Sequence, residues 1–114
     1  MNPQPQSKGE IMKATLMVRA EVEPSKKQAF DRWYEDEHLS DALKAFGADR
    51  AERGWDMTDP NVHVALYHFS DETAAQQRVS ALLPALVAEF DRHWNGYVKR
   101  TRTFVTQSQE IVAV

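Results

Sequence analysis

The chain has 114 residues, 42% of them hydrophobic and 27% charged, a balance that fits one globular domain and excludes wholesale disorder. Fourteen Lys and Arg against seventeen Asp and Glu leave a net charge of −3, opposite to the bias of proteins that live on nucleic-acid phosphates. With no cysteine there is no disulfide, zinc–thiolate site or thiol nucleophile, and no apolar run approaches the ~20 residues that span a bilayer.

Residues 1–10 carry two prolines, one glycine and no apolar period, and they read as a flexible tail. They lack the apolar centre of a signal peptide, so a cytoplasmic protein is expected, with neither a nucleic-acid nor a membrane partner. A single domain is expected over residues 11–107, followed by an extension over 108–114. From Met12 to Val22 the chain alternates, with Leu16, Val18, Ala20 and Val22 on one face and Met17, Arg19 and Glu21 on the other. That period of two predicts a strand. Pro24 stops it, and Ser25 with Gln28 forms a plausible capping box for a helix. Phe30, Trp33, Tyr34 and Glu37 then share one arc of that helix. The pattern falters near His38–Leu39, and Ser40 with Asp41 predicts a fresh cap for a short helix that Gly47 ends.

A weaker strand is predicted over Arg50–Met57, turn residues over Thr58–Asn61, and a clean strand from Val62 to Phe69. Ser70-Asp71 caps a second long helix whose stripe runs Ala75, Val79, Leu82, Leu83, Leu86, Val87, Phe90 and Trp94. Pro84 removes a backbone donor within that stripe, so a kink or break is expected there. Asn95-Gly96 ends the helix, and Val98–Thr106 reads as the last strand; Ile111–Val114 is apolar again and could form an edge strand or reach a partner. The order β-α-β-β-α-β predicts an α+β, ferredoxin-like fold, a four-stranded antiparallel sheet with two helices on one face. The bare face, to which Trp55, Tyr67, Phe69 and Val105 are expected to contribute, calls for a second copy packed sheet to sheet.

The run Phe30-x-x-Trp33-Tyr34-x-x-x-His38-Leu39 on the first helix of such a short βαββαβ chain resembles the EthD-like group of the dimeric α/β-barrel superfamily. The resemblance covers about Ala14 to Val105. It implies a homodimer whose sheets close a barrel, with a small-molecule cleft between sheet and helices in each subunit. The aromatic pair and histidine of the group carry over to Trp33, Tyr34 and His38, whereas Ser40 stands where many relatives have proline. The superfamily includes lactone isomerases, polyketide cyclases and haem-degrading monooxygenases, as well as many small proteins with no known reaction, so the fold alone does not transfer a reaction.

Tyr34 and His38, four residues apart, face the same side of a helix and can converge on one ligand as catalytic groups. An imidazole can move a proton and a phenol can donate to a developing oxyanion, which is enough for enolisation, ring closure or double-bond migration in a small carbonyl compound. The competing reading packs Tyr34 in the core and leaves His38 at a helix end. Trp33, Trp55, His63 and Tyr67 are expected to bound the cleft. Arg100 and Arg102, on one face of the last strand, are expected to bind a substrate carboxylate or phosphate, or else to pair with Glu21, Glu52 or Asp56. His63 and His68 point to opposite faces, and neither a metal-binding motif nor a glycine-rich phosphate loop occurs, so no metal and no cofactor are expected. Three functions follow: a cofactor-independent isomerase, cyclase or lyase; a non-catalytic binding protein; or a haem- or oxygen-dependent monooxygenase.

Overall fold

A computed structural model describes residues 11–114, so the expected tail lies outside the described residues. Strand β1 (Ala14–Val22) alternates between buried and open residues at every step, as its period of two requires. After it, Pro24–Lys26 form a short 3-10 turn that leads into α1 (Lys27–Trp33). The Ser25–Gln28 capping box does not form: Pro24 at the first helical position presets the backbone, and Lys26 N–H donates to the Glu23 carbonyl at 2.8 Å.

The second correction lies at Tyr34–His38. The helix does not break and restart at Ser40; it widens into one π-helical turn, with Leu39 N–H donating to the Tyr34 carbonyl, and runs on as α2 (Leu39–Phe46). Gly47 then closes α2 at φ 70°, a left-handed conformation that glycine adopts without a Cβ penalty.

Strands β2 (Arg50–Trp55) and β3 (Val62–Phe69) follow. β2 stops two residues short of Met57 because the Asp56 carboxylate takes the N–H groups of Thr58 and Asp59 at 2.7 and 3.0 Å, turning the chain. The Asp71 carboxylate accepts from Ala74 N–H and caps α3 (Glu72–Trp94). Pro84 sits inside α3 on an exposed face, and the helix continues through it rather than breaking. After Gly96 (φ 89°) comes β4 (Val98–Thr106). Beyond it, 107–114 form no strand; Gln107 N–H reaches the Lys13 carbonyl at 2.8 Å, and Ile111, Val112 and Val114 stay exposed.

The strands lie in the order β2-β3-β1-β4, every neighbour antiparallel, which is the ferredoxin-like α+β arrangement. The register assigns the two faces. Leu16, Tyr67, Ala51 and Phe104 belong to one row under the helices; Met17, Leu66, Glu52 and Thr103 belong to the next row on the outer face. Trp55, Tyr67 and Phe69 therefore sit on the helix side, not on the bare face, because they share the parity of buried His63 and Ala65. Val105 does lie on the outer face, with Met17, Val64 and Leu66. No helix among the described residues is long and apolar enough to cross a membrane.

Candidate functional site

The core is organised around Phe30, which is wholly buried; the rings of Trp33, Tyr34, Trp55, His63, Phe90 and Trp94 all lie within 6.2 Å of it. On one side of this cluster a small cleft, of about 20 Å³, opens between sheet and helices. Tyr34 and His38 reach it from the π turn, Tyr67 from β3, and Arg100 and Arg102 from β4; Leu83, Leu86 and Val87 of α3 close it. At this size the cleft holds about one water.

The π turn brings the Tyr34 and His38 rings to 4.8 Å, edge to face. Behind His38, the Trp33 indole stacks at 4.2 Å and 14°, fixing the imidazole plane. Burial, and next the Arg100 charge, lower the His38 pKa to about 4, so its ring is neutral at neutral pH. Burial, before any other cause, pushes the pKa of the Tyr34 and Tyr67 phenols up. Both keep their protons.

Arg100 spreads its guanidinium 3.5 Å above the Phe90 ring. Burial and then the Arg102 charge hold its pKa at about 10, still cationic at neutral pH. Among the described residues no carboxylate comes within 4.0 Å of Arg100 or Arg102. Glu21 and Glu52, which the sequence offered as partners, point to the outer face, and Asp56 pairs with Arg19 instead. Among the described residues the cleft thus holds two cations and no acid.

Three expected cleft residues lie elsewhere. Trp33 backs His38 from the far side, and Trp55 packs across Phe30 with its indole N–H on the Asp31 carboxylate at 2.8 Å. His63 is sealed behind Tyr34, their rings 4.3 Å apart. Glu37, on the arc of Trp33 in a regular α-helix, is turned outward and exposed by the π turn.

Sequence reasoning missed Asp31 and Arg53. Arg53 ion-pairs with Asp31 at 2.8 Å and places the same nitrogen 3.2 Å from His63 Nε2. Since Arg53 can only donate, His63 must accept there and carry its proton on Nδ1, which is buried without a partner. The shared parity of Ala51, Arg53 and Trp55 was the signal that could have found this network, but charged neighbours dilute it in β2.

Burial, followed by Arg53, also lowers the His63 pKa to about 4. An unfolded histidine takes its proton near pH 6.5; these two, when folded, take it only near pH 4. Their contribution is complete above pH 6.5 and is lost as pH falls from 6.5 to 4, at about 1.4 kcal/mol per unit for each residue. Urea denaturation at pH 7, 5.5 and 4.5 should follow that slope, and His63→Gln should flatten it by about half. An equally steep profile in the variant would contradict the assignment.

No metal-binding group of three His, Cys, Asp or Glu occurs among the described residues. A haem does not fit this geometry. It would need a free imidazole, whereas His63 Nε2 is engaged by Arg53 and His38 is stacked flat on Trp33.

No known family model matches the chain, and no curated protein sequence resembles it. Solved structures do share its fold. A NIPSNAP family protein of unknown function from Agrobacterium tumefaciens is 14% identical with a TM-score of 0.63, covering 87% of this chain and 90% of that one. A proposed antibiotic biosynthesis monooxygenase from Nitrosomonas europaea is 15% identical with a TM-score of 0.61, covering 87% and 93%. Another such protein, from Bacteroides thetaiotaomicron, is 12% identical with a TM-score of 0.57, covering 90% and 93%. These likenesses show the ferredoxin-like fold, and they do not single out the EthD-like group.

Proposed function

We propose that the chain is a small acid–base catalyst that binds an enolisable carbonyl metabolite in the cleft, and that it belongs to the EthD-like group. The observation that carries this reading is the meeting, among the described residues, of a neutral imidazole, two buried phenols and two guanidiniums without a carboxylate partner in one apolar cleft. Tyr34, Tyr67 and Arg100 would hold the carbonyl oxygen as charge develops on it, and Arg102 would bind an acidic group of the substrate. His38 would take the proton next to the carbonyl. Its low pKa keeps it unprotonated, and an anionic substrate beside Arg100 would cancel part of the repulsion and raise its basicity. Ligand entry requires the cleft to widen, and α3 is the yielding wall: Leu83, Leu86 and Val87 are half-buried, and Pro84 leaves the helix one backbone bond short.

The test is exchange of the α-protons of β-keto acids and aryl β-diketones in heavy water, followed by proton NMR. Exchange above the buffer rate supports catalysis. Binding that shifts the His38 ring signals with no exchange favours the non-catalytic carrier, and neither effect across the panel overturns the reading. A second reading rests on the two neighbours named as proposed monooxygenases: an enolate formed in the same cleft could react with dioxygen. Oxygen uptake during turnover would distinguish it.

The outer face, with half-buried Val64 and Leu66 beside Met17 and Val105, is proposed to pack on a second copy. Light scattering at micromolar concentration should give about twice 13.1 kDa. Leu66→Arg, which places a charge at the centre of that face, should shift the mass to the monomer value. A monomeric parent protein would remove the dimer from the proposal.

A further inference from the structure

The outer face carries a second arrangement that the cleft does not use. The register sets Arg50, His68 and Thr15 in one row across β2, β3 and β1, with Glu52 diagonal to His68. Thr15 Oγ lies 3.0 Å from His68 Nδ1, and His68 Nε2 lies 2.8 Å from a Glu52 carboxylate oxygen. Arg50 in turn holds Glu52 at 3.1 Å. A carboxylate can only accept, so in the neutral ring Nε2 carries the proton and Nδ1 is left as the acceptor for the Thr15 hydroxyl. That is a nucleophile joined to a base, and the base is oriented by a third group. A plain cross-strand pair would not need Glu52 to reach diagonally for the far nitrogen.

The row, which Val105 continues on β4, opens on a hollow of about 300 Å³ at the end of the sheet, at the rim of the face proposed to pack on a second copy. Lys13, two residues from Thr15, lines the hollow; its ammonium sits 3.6 Å from Glu110, with both side chains more than half exposed. Lys13 is therefore a movable cation beside the hydroxyl.

We infer that Thr15, His68 and Glu52 form an acyl-transfer site that accepts small carboxylic esters in this hollow. Thr15 Oγ bonds to the ester carbonyl carbon while its proton passes to His68 Nδ1. The carbonyl oxygen becomes an oxyanion next to the Lys13 ammonium. As the carbon–oxygen bond to the leaving alcohol breaks, the alkoxide takes the proton back from Nδ1. Water then repeats the sequence on the acyl-threonine and releases the carboxylic acid.

The experiment uses the full chain and p-nitrophenyl acetate. The expected result is one equivalent of nitrophenolate released rapidly, with a single acetyl group found by mass spectrometry on the peptide bearing Thr15. Thr15→Val, which keeps the β-branched shape, should lose that acetyl group, and Thr15→Ser should keep it. His68→Gln should slow acylation by about 10²–10⁴. Should His68→Gln fail to fold, the Thr15→Val and Thr15→Ser pair still decides. Acetyl groups found only on lysines or the amino terminus, or a Thr15→Val variant that reacts like the parent, would overturn the inference.

Discussion

His38→Gln is expected to slow α-proton exchange by about 10²–10⁴, the usual worth of a positioned general base, while leaving the fold nearly unchanged at neutral pH. Glutamine keeps a hydrogen-bonding end of similar reach and loses only the titratable nitrogen. At neutral pH the loss cannot be traced to a missing positive charge, since burial already keeps this imidazole neutral. Relative to the parent, stability should rise as pH falls from 6.5 to 4, because the unfolded variant no longer gains at this position a proton that the folded core refuses until about pH 4. Tyr34→Phe is the matched control, removing one hydroxyl of the Tyr34–Tyr67 pair and leaving the ring in place. If exchange rates in both variants match the parent, the Tyr34–His38 pair is structural. Denaturant midpoints measured beside the rates separate the two readings.

Phe30→Ala should be the most damaging core substitution. Emptying the centre of six surrounding rings removes a full phenylalanine and leaves a cavity their stiff shapes cannot fill. The cost is about 3–5 kcal/mol, a fall in Tm on the order of 20 °C for a domain of this size. Phe104→Ala, at a half-buried position on β4, should cost markedly less. Calorimetry on the two variants tests the ranking, and equal losses would contradict the central place given to Phe30.

The strand order and the long α3 stripe were legible because period-two and helical patterns are clean there. Leu16, Val18, Ala20 and Val22 in β1, and Ala75, Val79, Phe90 and Trp94 in α3, are all buried as the patterns require. The cleft was legible in part. Tyr34, His38, Arg100 and Arg102 could be assigned to faces that converge, but Tyr67 was assigned both to the cleft and to the bare face, and the position of His63 behind Tyr34 depends on how far the helices sit along the sheet. Periodicity carries no information about that offset.

The stretch near His38 was misread for a physical reason. Phe30, Tyr34, His38, Ala42 and Phe46 are all buried, a strict spacing of four over sixteen residues. A regular α-helix turns 400° in four residues, so such a stripe would drift about 160° off the core along this length. The pattern therefore looked broken. One wide turn takes up the drift and keeps all five on the same side.

The same turn separates two kinds of freedom in the chain. Glu35, Asp36 and Glu37 point outward and touch no part of the core, so their chemical identity can change at little cost. Their number can change in one direction only. Taking out one of them would close the wide turn into a regular one, and Phe30, Tyr34, His38, Ala42 and Phe46, then spaced by four, three, four and four, would stay within an arc of about 80°. Adding one would turn everything downstream by about 100° and carry His38, Ala42 and Phe46 off the sheet together. Among natural variants of this chain, substitutions should be common within these three positions, a single deletion should occur, and insertions should be absent.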